Sequence, residues 1–106
     1  MKINVTPRAR RDRDEIVGYL ASESLDAALL CTAKLRETYH VVAAQPRIGH
    51  LRSDVKREAN RALRCIAVNG FPNHLDFYQA NAEGIDIARI VHGARDIQSA
   101  IDESED

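Results

Sequence analysis

The feature that most constrains the fold is a change in the spacing of apolar residues along the chain. Between Ser24 and Ala44 they recur every three or four positions, which is the period of a helix with one buried face. From Leu63 onward the period is two, which is typical of β-strands. A helical half followed by a strand-forming half predicts an α+β fold in which helices cover a sheet.

The first half predicts one strand and two helices. We expect a short strand over Lys2–Val5, then a helix with Thr6 as its N-cap and Pro7 at its first position. Arg13 interrupts the apolar side of that helix. The second helix begins after Ser24 and ends near Ala44, because a proline at position 46 disfavours helical backbone at the residue before it. The short connection predicts an antiparallel helical hairpin.

The second half predicts a loop and then three strands joined by turns. The segment Arg47–Asn60 is charged and lacks a period, so we interpret it as a loop. Strands are expected over Leu63–Val68, over His74–Gln79 and from Ile85 to Val91. The predicted fold is therefore β-α-α-β-β-β, with an antiparallel sheet. The sequence also allows a short helix over Asp96–Ile101.

Length and composition indicate one ordinary globular domain over residues 1–106. The chain is 44% hydrophobic and 29% charged, without internal repeats or a low-complexity linker. No apolar run approaches the roughly 20 residues of a membrane span, and we expect a cytoplasmic location. Cys31 and Cys65 are not spaced as a metal or redox motif, so we interpret them as buried thiols.

Charge is unevenly distributed although the net charge is only -1. Residues 1–13 carry five basic residues against one acid, and residues 47–64 carry six against two, a local excess of +4 in each case. The last five residues hold four acids. Such zones either steer a negatively charged partner towards the chain or form a solvated, self-compensated surface.

Several short segments together resemble a known family. The segment Val91–Ile97 is the most specific, and the others are weak individually. In order along the chain, they are Thr6-Pro7-x-Ala9, Ile16-x-x-Tyr19-Leu20, Ala27-Ala28, Pro46-Arg47-Ile48-Gly49, Leu63-Arg64, Phe77-Tyr78 and Ile90-Val91-His92-Gly93-Ala94-Arg95-Asp96-Ile97. In this order they resemble the ParE branch of the RelE/ParE toxin superfamily.

The resemblance implies a RelE-like fold and the toxin role of a type II toxin–antitoxin system, as in plasmid stabilisation. It implies a cognate antitoxin, ParD-like or similar, in a hetero-oligomer with the toxin. It also implies growth inhibition through binding of DNA gyrase, a non-enzymatic action. Arg13 departs from the family pattern, where an apolar residue is usual.

The alternatives are an mRNA endoribonuclease and a non-toxic binding domain of the same fold. RelE-type ribonucleases usually carry catalytic Tyr, Lys or Arg residues on the sheet and near the C-terminus, whereas no Tyr or Lys follows Tyr78 here. Cleavage would need a proton-transfer group and cations for the phosphate. The residues available for this are Arg64, Arg89, His92 and Arg95.

For the gyrase-binding hypothesis, the candidate target contacts are Arg64, Arg89 and Arg95. An arginine that interrupts a strand pattern either faces solvent or lines a shared concave surface. His92 alternatively ends the last strand, and Asp96 alternatively caps a helix. We expect Arg8, Arg10 and Arg11 to contact the antitoxin. No phosphate-loop, dinucleotide or zinc motif occurs, so no cofactor, metal or direct nucleic-acid contact is expected unless the chain is a ribonuclease.

Overall fold

A computed structural model describes residues 2–56 and 61–93 of the chain. Within them, the elements follow the order β1, α1, α2, β2, β3, β4, β5. Their bounds are Lys2–Val5, Pro7–Glu23, Leu25–Ala44, His50–Lys56, Ala62–Val68, Phe71–Ala80 and Gly84–His92. The α+β class and the strand, helix, helix, strand order are confirmed.

Both helices begin where the capping residues predict. The Thr6 hydroxyl accepts a hydrogen bond from Ala9 N and precedes Pro7, and the Ser24 hydroxyl does the same for Ala27 N. Ser24 is also the only residue between α1 and α2, so the two helices form a hairpin whose members pack on each other.

Two details of the predicted sheet are wrong. The loop interpretation fails over His50–Lys56, which is an additional strand, β2, at one edge of the sheet. At the opposite edge β1 pairs with β5 in parallel, so the five-stranded sheet is mixed, with the order β1-β5-β4-β3-β2. The antiparallel meander β3-β4-β5 is confirmed. The short helix expected over Asp96–Ile101 lies outside the described residues.

The sheet carries a buried cluster on each face. Side chains of α1 and α2 pack on one face with Tyr78, Ile87 and Ile90. The next residues on the strands point the other way, so Phe77 and Val91 belong to the second cluster. The helices therefore cover only one face of the sheet. Side chains alternate between the two faces along each strand, so a residue's position in its strand decides whether it contacts the helices.

A β-bulge changes this alternation in β5. Phe77 pairs with Arg89 and Tyr78 pairs with Ile87, which leaves Ala88 without an opposite residue on β4. As a result, Ile85, Ile87 and Ile90 all pack in the helix-facing cluster, although they are not evenly spaced by two. The bulge brings Arg89 beneath α1.

Candidate functional site

The first functional candidate, Arg89, is buried in an ion pair. Its Nε and Nη2 donate to the Asp12 carboxylate of α1 at 2.6 and 3.1 Å, and its side chain is 1% exposed. Asp12 also accepts from the backbone N of Ile90 at 3.0 Å. From the sequence, Arg89 was expected either to face solvent or to line a concave surface, and it does neither. It connects α1 to the bulge of β5.

Thr6 completes this connection at the start of α1. Its hydroxyl lies 3.0 Å from Ile87 O and 3.1 Å from Ala88 O, while its backbone N donates to Ile87 O. The same hydroxyl caps α1 through Ala9 N. The bulge and the first turns of α1 are thus held together by Thr6, Asp12 and Arg89, which we call the bulge clamp.

The second candidate, Arg64, holds the segment between α2 and β2. Its Nη1 donates to Gly49 O at 3.0 Å, and the side chain is half-buried. Tyr78, its neighbour on β4, accepts from Gly49 N at 2.8 Å and donates to Pro46 O at 2.9 Å. Burial raises the pKa of the Tyr78 hydroxyl, which keeps it a neutral donor. A half-exposed guanidinium here can still reach a partner.

His92 lies beside an apolar groove at the end of the sheet. The groove has a volume of about 370 Å³. It is lined by Glu15, Ile16, Tyr19, Leu20, His74 and His92. The His74 and His92 rings meet edge to face with 5.5 Å between centroids, and their residues pair across β4 and β5. Burial, and then the neighbouring His92, lower the pKa of His74, so that ring is held neutral.

The predicted antitoxin contacts all lie on α1. Arg10 and Arg11 are exposed, whereas Arg8 is partly buried with its Nε 3.7 Å from Asp12 Oδ1. Arg11 precedes Glu15 and Tyr19 at intervals of four, so these three residues follow one line along the helix towards the groove. Of the three predicted antitoxin contacts, Arg11 is therefore the one that lies in line with the groove lining.

Three described arginines of the second basic zone have partners inside the fold, whereas Arg47 is exposed. Arg52 pairs with Asp54 at 2.8 Å, and Arg61 donates to Ala80 O at 2.8 Å. Arg64 bonds to Gly49 O, as above. This zone is therefore less available to an anionic partner than its charge count suggests. The remaining candidate, Arg95, and the capping role of Asp96 lie outside the described residues.

Sequence reasoning missed two residues that shape these sites, Asp12 and His74, and one further buried group, Asp76. Asp12 was not recognised as a partner for Arg89 because four arginines surround it in the sequence. The available signal was an acidic residue directly before Arg13, which interrupts the apolar side of α1. His74 was predicted only as the start of a strand, and it is half-buried against His92. Asp76 interrupts β4 and is fully buried. Among the residues that the structure describes, no cluster of His, Cys, Asp or Glu has the geometry to hold a metal ion.

Comparison with known proteins identifies the class that this fold and these residues define. Residues 3–97 match the family described as the ParE toxin of the type II toxin–antitoxin system parDE. The match spans nearly the whole chain, so the chain belongs to the ParE toxin family. Comparison with curated proteins found no match.

No helix in the described ranges 2–56 and 61–93 is both long and apolar enough to cross a membrane.

Proposed function

We propose that this toxin arrests growth by binding DNA gyrase without catalysing a reaction, and that a cognate antitoxin neutralises it by covering the α1 groove. The family match over residues 3–97 supports the toxin role and an antitoxin partner. The choice of binding over RNA cleavage rests on one observation, the burial of Arg89. A guanidinium that is 1% exposed and paired with Asp12 is poorly placed to stabilise a phosphate.

The gyrase hypothesis is tested with purified gyrase in a supercoiling assay, with transcripts incubated in parallel. We expect the toxin to inhibit supercoiling and to leave the transcripts intact. Unaffected supercoiling together with cleaved transcripts would overturn the proposal and favour the ribonuclease alternative.

Arg64 and Arg95 are the proposed target contacts that remain after Arg89 is assigned to the bulge clamp. We expect Arg64→Gln and Arg95→Gln each to weaken gyrase inhibition at least tenfold, the effect of losing a charge-assisted hydrogen bond of about 1.5–3 kcal/mol. Arg36→Gln, at an exposed position of α2, is the matched control. Inhibition that is unchanged in both variants would remove these residues from the target surface. Since Arg64 also bonds to Gly49, the unfolding midpoint of each variant is measured alongside.

The antitoxin surface is argued from the apolar groove and its basic neighbour. Tyr19, one of its lining residues, is 68% exposed. Arg11 continues the same line of α1, and Arg10 is exposed on the neighbouring position. This arrangement suits an amphipathic helix of the antitoxin that places apolar residues in the groove and acidic residues over the arginines.

Charge reversal tests this surface. We expect Arg10→Glu with Arg11→Glu, or Tyr19→Ala alone, to reduce co-purification with the antitoxin at raised salt. Arg36→Glu on α2 is the control. Arg8, the third predicted contact, is left unchanged here because its reversal would also place a carboxylate beside Asp12. Co-purification that survives both changes would place the antitoxin elsewhere.

A further inference from the structure

Asp76 is a buried carboxyl that the bulge clamp, the groove and the proposed target contacts do not use. It lies in β4, between Ile66 of β3 and Ile90 of β5, and none of its surface is exposed. Among the described residues, neither of its carboxyl oxygens has a hydrogen-bond partner. An ionised carboxylate in such a place would lose its hydration without compensation.

The charged and titratable groups around Asp76 do not neutralise it. On α2, the hydroxyl of Tyr39 is likewise buried without a hydrogen-bond partner in the described chain, and Cys31 is buried as well. On α1, Asp12 is engaged by Arg89 of β5, and Arg13 lies beside the exposed Asp14. The other titratable groups on the three central strands are Cys65 on β3, His74 and Tyr78 on β4, and His92 on β5.

The electrostatics agree with this geometry. Burial raises the pKa of Asp76 to about 8. Burial, and then the nearby Asp76, raise the pKa values of both Tyr39 and Cys31. All three groups are therefore favoured in their neutral forms where α2 packs on the sheet.

We propose that Asp76 is a proton-dependent switch of the helix–sheet packing: its neutral form is compatible with α2 lying on the sheet, and its ionisation loosens this contact. Burial of the neutral carboxyl costs little hydration, whereas the carboxylate would introduce an unpaired charge into an apolar core. The device acts on the stability of the toxin and does not require that the gyrase hypothesis be correct.

The sign of the pH effect follows from linkage. The unfolded carboxyl has an ordinary pKa of 3.8, and the folded one a pKa of about 8. The contribution of this group to folding is therefore fully present below pH 4 and is lost as the pH rises to 8. Over this window the folded chain holds one proton that the unfolded chain has released. The unfolding constant should then rise about tenfold per pH unit.

The test compares the full chain with Asp76→Asn, which keeps the shape of the side chain and cannot ionise. The lowered pKa of His74 has the opposite effect just below pH 6.5, and the comparison cancels it because both chains retain this residue. Equilibrium unfolding is measured from pH 5 to pH 9. We expect the ratio of the unfolding constants, native chain over variant, to rise about tenfold per unit between pH 5 and pH 7 and to level off above pH 8.

Two further measurements keep the result interpretable. Asp14→Asn, at an exposed carboxyl, should show a ratio that does not vary with pH over this range. If Asp76→Asn fails to fold, Asp76→Leu replaces it, and the carboxyl carbon of Asp76 is titrated directly by nuclear magnetic resonance in the native chain. A pH-independent ratio, or a carboxyl that titrates near pH 4 in the folded chain, would overturn the proposal.

Discussion

At the residue scale, the bulge clamp shows that Arg89 interrupts its strand pattern because it is buried against Asp12 of α1. An arginine in an apolar strand is a real departure from the pattern, and the sequence shows it plainly. Its partner Asp12 is 77 positions away, and the bulge at Ala88 shifts the alternation by one. Neither a distant partner nor a bulge is encoded in local periodicity, so the buried ion pair could not be predicted from the sequence.

The ion pair yields a stability prediction. Asp12→Ala would leave the Arg89 guanidinium buried without its carboxylate, and we expect a loss of about 3–5 kcal/mol in the free energy of unfolding. Chemical denaturation of the variant measures this loss. Asp14→Ala removes the carboxylate of an exposed pair on the same helix and should change the denaturation midpoint little. Equal effects of the two substitutions would show that the buried pair has no special role.

Tyr78 provides a second test at the same scale. Its hydroxyl joins Gly49 N and Pro46 O, so Tyr78→Phe would leave two backbone groups without this partner. We expect a loss of about 1–3 kcal/mol in unfolding free energy. Gly49→Ala should also destabilise the chain, because an added Cβ would collide with the Tyr78 hydroxyl. If both variants unfold at the denaturant midpoint of the native chain, the segment before β2 is not held as described.

At the element scale, the helices were predictable and the edges of the sheet were not. The helix boundaries follow from local signals. The caps Thr6 and Ser24 mark where α1 and α2 begin, and the proline after Gln45 marks where α2 ends. β2 carries few apolar residues and pairs with β3 alone, with a register shift between Arg52 and Lys56. Charged, irregular strands are common at sheet edges, which is why this one resembled a loop.

The parallel pairing of β1 with β5 leads to a prediction about one glycine. Gly84 pairs with Lys2 so closely that an added Cβ would overlap the Lys2 carbonyl oxygen. We expect Gly84→Ala to detach β1 from β5 and to accelerate amide hydrogen exchange at Asn4 and Thr6. Gly18→Ala is the control, since an added Cβ there meets nothing within 4 Å. Unchanged exchange in Gly84→Ala would contradict the close pairing.

At the scale of the whole molecule, the hairpin and the bulge clamp together hold α1, and with it the α1 groove, against the sheet. α1 packs on α2 and on β5, and the clamp adds charge-assisted hydrogen bonds at this contact. The family could be recognised from dispersed short segments, and the match over residues 3–97 confirms it. The groove could not be located from the sequence, because its lining comes from α1, β4 and β5 together.

The central claim is that this chain is an active toxin restrained by its antitoxin, and inducible expression in a bacterial host tests it most directly. We predict that expression of the chain alone arrests growth and that co-expression with the antitoxin restores it. Asp12→Ala, expressed in the same way, should be less toxic because its fold is destabilised. Unimpaired growth with the stably folded chain present in the cells would contradict the account and favour a binding domain that has lost toxicity.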